Sequence, residues 1–391
     1  MQITRLETFP VEVPVKRHGE PYGIAPYVGG NRIRSLPDSL TFEEALEAND
    51  EATEAGKKLL VKLETDEGID GWGEVKVPTM RAGQVLIEEL VEPEVVGRDV
   101  TEVEALVDEF GSFSTMYYTD VTSYIGAVEM AMWDAHGKHL GKPVHELIGG
   151  KCRDSVEIAY CLGLLTPEKS REHARFARDE GFSVLKTKAS RYWRADVARI
   201  EAMHDEVDGE LEFRVDPNQL WSFEDAVRFG AALEDRGIYL QYMEQPIRVD
   251  SFGTLKSLRN RLRTPIAINE DAYFQRNLNQ AASMDAIDAA VVDLVPARGI
   301  LGLKRLAGIA SEFGISLAHH SNFDLGIKNA AKLHTIATTP AFNMAIDSVY
   351  YAYEDHILEN PLEIEDGRMT VPDEPGLAAV DEAKVEEYRI D

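Results

Sequence analysis

From residue 155 to about residue 350 the chain repeats one pattern, a short apolar run followed by a helix-prone stretch. The runs are SVEIAYCL, FSVLKTKA, LEFRVDPN, IYLQYMEQP, TPIAINED, IDAAVVDLV, ISLAHHSN and FNMAIDSV; stretches such as TPEKSREHARFARDEG and LGLKRLAGIASEFG separate them. Strands buried on both faces have this apolar character, because neither face meets water. Eight such strands and about seven helices, with no Pro- and Gly-rich linker between them, predict parallel βα units that close into a barrel.

Before this region the pattern is different. Residues 1–15 read as a strand, and the loop GEPYGIAPYVGG leads into an acidic, helix-prone stretch. KLLVKLETDEGIDGWGEV, at 58–75, reads as a hairpin because alternating residues flank the turn signal DEGIDG. Helical patterns follow near 80–97, 101–112 and 121–140, and PLEIEDGRMTVPDEPGL after residue 358 reads as a last hairpin. The expected organisation is an α+β domain over 1–140, a barrel over 141–357, and a segment at 358–391 that returns to the first domain.

Charge and composition restrict the partner. A net charge of −28 repels the phosphates of nucleic acids and anionic membranes, so neither is expected. No run reaches the roughly 18–20 apolar residues of a membrane span, and MQITRLETFPVEVPV lacks the pattern of a signal peptide, so a cytoplasmic protein is expected. Cys152 and Cys161 carry no disulfide or zinc motif and are expected to be reduced thiols. The 25 Arg against 16 Lys, with acidic runs such as TFEEALEANDEATEAG, suggest a halophilic protein kept soluble in concentrated salt.

In a βα barrel the polar residues that close successive strands line one shared mouth. Here these residues are Lys188, Asp216, Glu244, Asn269, Asp293 and His320, separated by 28, 28, 25, 24 and 27 positions, about one βα unit each. A single Asp or Asn at such a point is an ordinary turn former or helix cap. Two carboxylates and an amide side by side, between a lysine and an Asp/His pair, make a set suited to one reaction.

Asp216, Glu244 and Asn269 offer only oxygen ligands, which favours Mg²⁺ over zinc. The third position is open among Asn269, Glu270 and Asp271, because a shift of one residue turns a strand side chain to the other face. Asn218 shares a face with Asp216 and is either a substrate contact or a turn residue. On GFSVLKTKAS, alternation sends Lys186 and Lys188 to the mouth and Leu185 and Thr187 toward the helices. By the same rule His320 faces the mouth, and His319 is expected to be a packed residue.

These residues resemble the enolase superfamily, in its mandelate racemase and muconate lactonizing branch. The likeness rests on Lys186-Thr187-Lys188, on VDPN at 215–218, MEQP at 243–246 and VVDLVPARGILG at 291–302, and on SYIGAVEMAMWDAHGKHLGKPVHELIGG at 123–150. It implies a modified TIM barrel, (β/α)₇β, with an N-terminal α+β capping domain completed by the C-terminal segment. PIAIN at 265–269 and HHSNFD at 319–324 are similar to the glucarate dehydratase group, in which the third metal ligand is Asn. The longer acidic excursion near 30–56 departs from the family, and it lies where a loop closes over the substrate.

The resemblance implies a Mg²⁺-dependent acid-sugar dehydratase, a hydro-lyase. The proton alpha to the carboxylate is removed to give a metal-stabilised enediolate, and loss of the beta-hydroxyl yields a 2-keto-3-deoxy acid. The use of a Lys or His base with magnesium in this superfamily is a standard example of tuned acid/base chemistry. In this reading Lys188 and His320 are the bases on opposite faces of the acid. Asp293 holds the His320 imidazole, and Lys186 helps hold the carboxylate and depresses its neighbour. Two unit charges about 6.6 Å apart repel by roughly 2.5 kcal/mol at an effective dielectric of ~20. Asn218, Asn322 and Tyr22 are the expected substrate contacts, the substrate is a small carboxylic acid, and a homo-oligomer is expected. The alternatives are a racemase, epimerase or cycloisomerase working through the same enediolate, and a barrel that has lost catalysis.

Overall fold

The computed structural model describes residues 1–16, 36–37, 39–48, 55–77, 79–112 and 121–390. Three strands form an antiparallel sheet in the order β1 (Ile3–Pro14), β2 (Ala55–Thr65), β3 (Gly71–Val75). Helices α1 (Phe42–Glu47), α2 (Met80–Leu86), α3 (Val103–Ser112) and α4 (Thr122–Leu140) accompany it. The expected hairpin is the β2–β3 pair. Strand β3 lies directly on α4, which its two glycines allow: a Cβ at Gly71 or Gly73 would stand 1.9 Å from the carbonyl oxygen of Ala131 or Ala127.

The barrel strands are β4 (Ser155–Leu162), β5 (Val184–Lys188), β6 (Glu212–Asp216), β7 (Tyr242–Glu244), β8 (Ile266–Ile268), β9 (Ala289–Val292), β10 (Ser316–His319) and β11 (Ile346–Ser348). Between them run α5 (Pro167–Asp179), α6 (Trp193–Glu206), α7 (Phe223–Glu234), α8 (Phe252–Arg259), α9 (Gln275–Ser283), α10 (Ile300–Phe313) and α11 (Gly326–Ala337). All eight expected strands and seven expected helices are present. Local chemistry starts the helices where the sequence requires it. At α5 the Thr166 hydroxyl accepts from the Lys169 N–H, Pro167 occupies the first turn, and Arg178 lies in the last, each suited to its end of the helix.

Strands β4 to β10 pair in parallel in chain order. β11 pairs in parallel with β4, and the Met344 N–H donates to the Leu317 carbonyl at 3.2 Å, which closes the ring. The hairpin β12 (Ile364–Glu365) and β13 (Arg368–Thr370) adds antiparallel to the start of β4. Beyond it the chain reaches the first sheet, where the Glu12 N–H donates to the Tyr388 carbonyl at 2.9 Å. Among the described residues no helix is long and apolar enough to cross a membrane.

The core lies between the helices and the outer faces of the strands. A second, smaller apolar cluster of Tyr242, Ala267, Ala289, Val291 and Ala318 fills the barrel interior. The strands are staggered, as a closed barrel requires. Lys188 pairs with Asp216, but Glu244 pairs with Ala267, so Asn269 sits two residues above the level of Glu244. The polar residues at the strand ends therefore climb around the mouth and do not share one plane.

Candidate active site

Strand alternation places Lys186 and Lys188 inside the barrel, and both ammonium groups meet carboxylates. Lys186 Nζ is 2.6 Å from Glu244, 2.6 Å from Asp347 and 4.0 Å from Asp216. Lys188 donates to Asp216 Oδ2. Thr187 points the other way and accepts from Arg199 of α6 at 2.6 Å, which agrees with the expected alternation.

All of these charges are buried, and their ionisation follows from how each is compensated. Burial favours neutral Lys186, but Asp347, Glu244 and Asp216 outweigh it and hold the ammonium well above the ordinary lysine range. Burial also opposes ionisation of Asp216 and Asp347. Lys188 and Lys186 hold Asp216 below the usual carboxylate range, and Lys186 with Arg214 does the same for Asp347. Glu244 is pushed upward by burial and by the neighbouring Asp216 and Asp347. Because three carboxylates share Lys186, its charge is largely spent on them. The simple lysine–lysine repulsion expected from the sequence gives way to a compensated cluster.

The expected metal ligands are placed as follows. Asp216 and Glu244 come together around Lys186. On the next strand Asn269 is held from both sides: its amide donates to the Val291 carbonyl at 2.7 Å, and its Oδ1 accepts from the Tyr273 hydroxyl at 3.2 Å. Among the described residues no three His, Cys, Asp or Glu side chains form a cluster able to hold a metal. The candidate set combines two carboxylates with an amide. Oε1 of Glu244 is buried without a hydrogen bond while its Oε2 meets Lys186 at 2.6 Å, and Oε2 of Glu270 is also buried without a hydrogen bond. Orphaned buried oxygens in an oxygen-only donor set fit a hard divalent cation.

Across the mouth, the Asp293 carboxylate is 3.3 Å from His320 Nδ1 and accepts from the Asn322 amide at 3.2 Å. His319 is fully buried. Its Nε2 accepts from the Leu294 N–H at 3.0 Å and its Nδ1 lies 2.6 Å from the His320 carbonyl, so the ring is neutral with its proton on Nδ1. Burial pushes its pKa down to about 3. The two adjacent histidines thus separate as expected, one packed and one at the mouth.

Asn218 has left-handed backbone (φ 47°), and its N–H donates to Asp216 Oδ1 at 2.9 Å, so its backbone takes part in the turn that orients this carboxylate. Asn322 is engaged at every polar group: its carbonyl accepts from Lys58 at 2.8 Å, its Oδ1 from Lys76 at 3.3 Å, its backbone N–H donates to Asp324 at 3.3 Å, and its amide nitrogen lies 3.2 Å from Asp293 Oδ2 and 3.1 Å from His320 Nδ1. Tyr22 lies outside the described residues, as does about half of the acidic excursion. The described part of that excursion, α1 and the residues just before it, packs near the loop after β5. There Arg191 donates to the Leu36 carbonyl at 2.9 Å and the Tyr192 hydroxyl to the Leu40 carbonyl at 2.7 Å.

Several residues of the site escaped the sequence reading. Asp347 was readable, since it lies 27 positions after His320 and so continues the series by one more unit. Lys328 was signalled less directly, as a lysine on the apolar helix GIKNAAKLHTIA. Glu74 and Lys58, buried on the capping sheet, meet the barrel loop at residues 322–328. Glu74 accepts from the Leu325 and Lys328 N–H groups at 2.7 and 2.9 Å.

Comparison with known families agrees with this fold. Residues 169–383 match the model described as enolase C-terminal domain-like, and residues 48–149 match the mandelate racemase / muconate lactonizing enzyme N-terminal domain. The chain belongs to the mandelate racemase and muconate lactonizing branch of the enolase superfamily. It is 28% identical over 336 residues to an arabinonate dehydratase of Saccharolobus solfataricus, covering 84% of this chain and 89% of the relative. It is also 28% identical over 283 residues to an N-succinyl-L-Arg/Lys racemase of Bacillus cereus, covering 71% and 75%. The crystal structure of an enolase from Streptomyces coelicolor, described as a putative sugar isomerase, superposes with a TM-score of 0.83 at 29% identity, covering 99% of this chain and 96% of that one. Dehydratases thus stand beside racemases, and epimerases and cycloisomerases also match.

Proposed function

We propose that this protein is a Mg²⁺-dependent dehydratase of a sugar acid, an aldonate or aldarate. The observation that carries the reading is the pairing of two proton-transfer groups across one mouth. Lys188 ends the second barrel strand, and His320, beside Asp293, follows the seventh, positions from which they would act on opposite faces of a bound acid. Asp216, Glu244 and Asn269 would hold the cation, with Glu270 as the alternative to Asn269. Magnesium, when bound, supplies Lewis acidity that favours negative charge on the substrate carboxylate.

In this mechanism Lys188 takes the proton alpha to the carboxylate and leaves an enediolate. The electron pair then forms the Cα=Cβ bond, the Cβ–O bond breaks, and a proton from His320 converts the departing hydroxyl to water. The resulting enol becomes the 2-keto-3-deoxy acid. Epimerisation through the same enediolate is the second reading, favoured by the same opposed pair: His320 would return a proton to the other face. The acidic surface further suggests adaptation to concentrated salt, for which rising thermal stability in molar KCl is the test.

The decisive experiment incubates the Mg²⁺-loaded protein with a panel of aldonates and aldarates and assays 2-keto-3-deoxy acid. Keto acid formation that is lost in K188A and H320N supports dehydration; epimers formed without keto acid would replace it with the second reading.

A further inference from the structure

On α11 the ammonium of Lys328 is held between two buried carboxylates. It lies 2.9 Å from Asp293 Oδ1, 3.0 Å from Asp293 Oδ2 and 2.9 Å from Asp324 Oδ1. Its side chain is only 3% exposed, and both carboxylates are fully buried. Asp293 is the same carboxylate that holds His320, so one negative charge is divided between a permanent cation and an imidazole. We propose that Lys328 is a positioning residue that ties up the Asp293 carboxylate, so that His320 serves as proton donor to the leaving hydroxyl more than as a second base. This inference rests on the dehydratase reading and specifies the acid in it.

The argument is one of charge. A lone carboxylate beside a histidine stabilises the imidazolium and holds the proton on it. An ammonium in contact with both oxygens of that carboxylate removes much of this stabilisation in a low-dielectric interior. Less of the Asp293 charge is then left to His320, an arrangement suited to proton donation to a departing hydroxyl. Asp293 itself responds as expected: burial opposes its charge, but Lys328 and the hydrogen bond to His320 hold it well below the usual carboxylate range.

Other charged groups around His320 come from every neighbouring element. Asp347 on β11 feels its charge, and Lys332 on α11 lies 3.7 Å from Asp324. Lys58 and Lys76 of the capping domain reach the same loop through Asn322, and neutral His319 packs beside it. Among these groups Lys328 is the cation in direct contact with Asp293.

In the step assigned to it, His320 Nε2–H gives its proton to the Cβ hydroxyl oxygen, and the C–O bond breaks with its electron pair leaving on water. The electron pair of the enediolate becomes the new Cα=Cβ bond. His320 ends neutral and is reprotonated from solvent after product leaves.

The test compares two rates in the Mg²⁺-loaded enzyme with any sugar acid that it turns over: α-hydrogen exchange with D₂O and formation of keto acid. K328M is expected to raise the ratio of exchange to keto acid about 10-fold and to move the alkaline limb of the kcat profile up by about one pH unit. K328R should restore both to near wild type. D324N, which leaves Lys328 to Asp293, should move the limb the other way, and it carries the test together with K328Q should K328M fail to fold. Exchange and keto acid falling by the same factor, with the limb unmoved, would overturn the proposal while leaving dehydration intact. A wild-type enzyme that exchanges the α-hydrogen of sugar acids without forming any keto acid would overturn the dehydratase reading and the donor role with it.

Discussion

Lys186 and Asp347 meet at 2.6 Å inside the barrel, with neither side chain more than 3% exposed. The contact joins the second strand to the eighth, across the first, and it also fixes the ammonium that faces Glu244 and Asp216. A buried pair of this kind contributes little net stability while intact, but removing one partner strands the other. D347N should therefore cost about 3 kcal/mol or more, read as a lower urea midpoint. A double variant, K186M with D347L, should recover much of that stability but no activity. If D347N melts like wild type, Glu244 and Asp216 compensate Lys186 without Asp347.

The orphaned Oε1 of Glu244 leads to a second expectation. A cation that binds the folded protein and not the unfolded chain stabilises it by mass action, by about 2.7 kcal/mol at a hundredfold excess over Kd. Mg²⁺ added to EDTA-treated protein should raise the melting temperature and restore turnover. D216N and E244Q should abolish the thermal shift. A shift of undiminished size in both variants would place the cation elsewhere.

The adjacent histidines differ in what their loss removes. H320N should lower kcat by roughly 10²- to 10⁴-fold, the usual share of general acid–base catalysis, with the melting temperature little changed. H319F leaves the buried Leu294 N–H without the acceptor that it meets at 3.0 Å, at a cost of about 1–3 kcal/mol, and should keep most of the turnover of the folded fraction. The opposite pattern would reverse the assignments.

Most of the barrel could be read from the sequence because its signals are local. Apolar runs such as AAVV mark strands buried on both faces, and the 24- to 28-residue spacing of polar residues marks successive units. Strand alternation alone separated Lys188 from Thr187 and His320 from His319. Registration across strands was not local, so neither the stagger that lifts Asn269 above Glu244 nor the sharing of Lys186 by three carboxylates could be foreseen. Lys328 shows the same limit. Its helix position is plain in GIKNAAKLHTIA, but its bond to Asp293 depends on how α11 packs against β9. Glu74 and Lys58 act on the barrel from the other end of the chain, and nothing in their own neighbourhoods announces a partner more than 240 residues away.

Another long-range contact gives the last prediction. Glu129 on α4 of the capping domain accepts from the Ile300 and Leu301 N–H groups, at 2.8 and 2.9 Å, at the start of α10, and from the Trp133 indole at 2.9 Å. A carboxylate there complements the helix N-terminus. Burial nevertheless outweighs these donors and raises its pKa from 4.5 to about 7. The folded protein therefore retains a proton that the unfolded chain releases between those two values. The stability from this site is fully present below about pH 4.5 and is lost as pH rises toward 7. Glu74, also raised to about 7 by burial, adds in the same direction. Asp216, Asp293 and Asp347 are depressed below 3.8 and act outside this window. Urea melts from pH 5 to 7.5 at fixed ionic strength should show E129Q losing less stability across the range than wild type, by on the order of 1–3 kcal/mol. The amide cannot match all three donors, so E129Q should also start from a lower stability at pH 5. Parallel pH slopes in the two proteins would mean that Glu129 does not take up its proton in this range and that the clamp between cap and barrel stays ionised throughout.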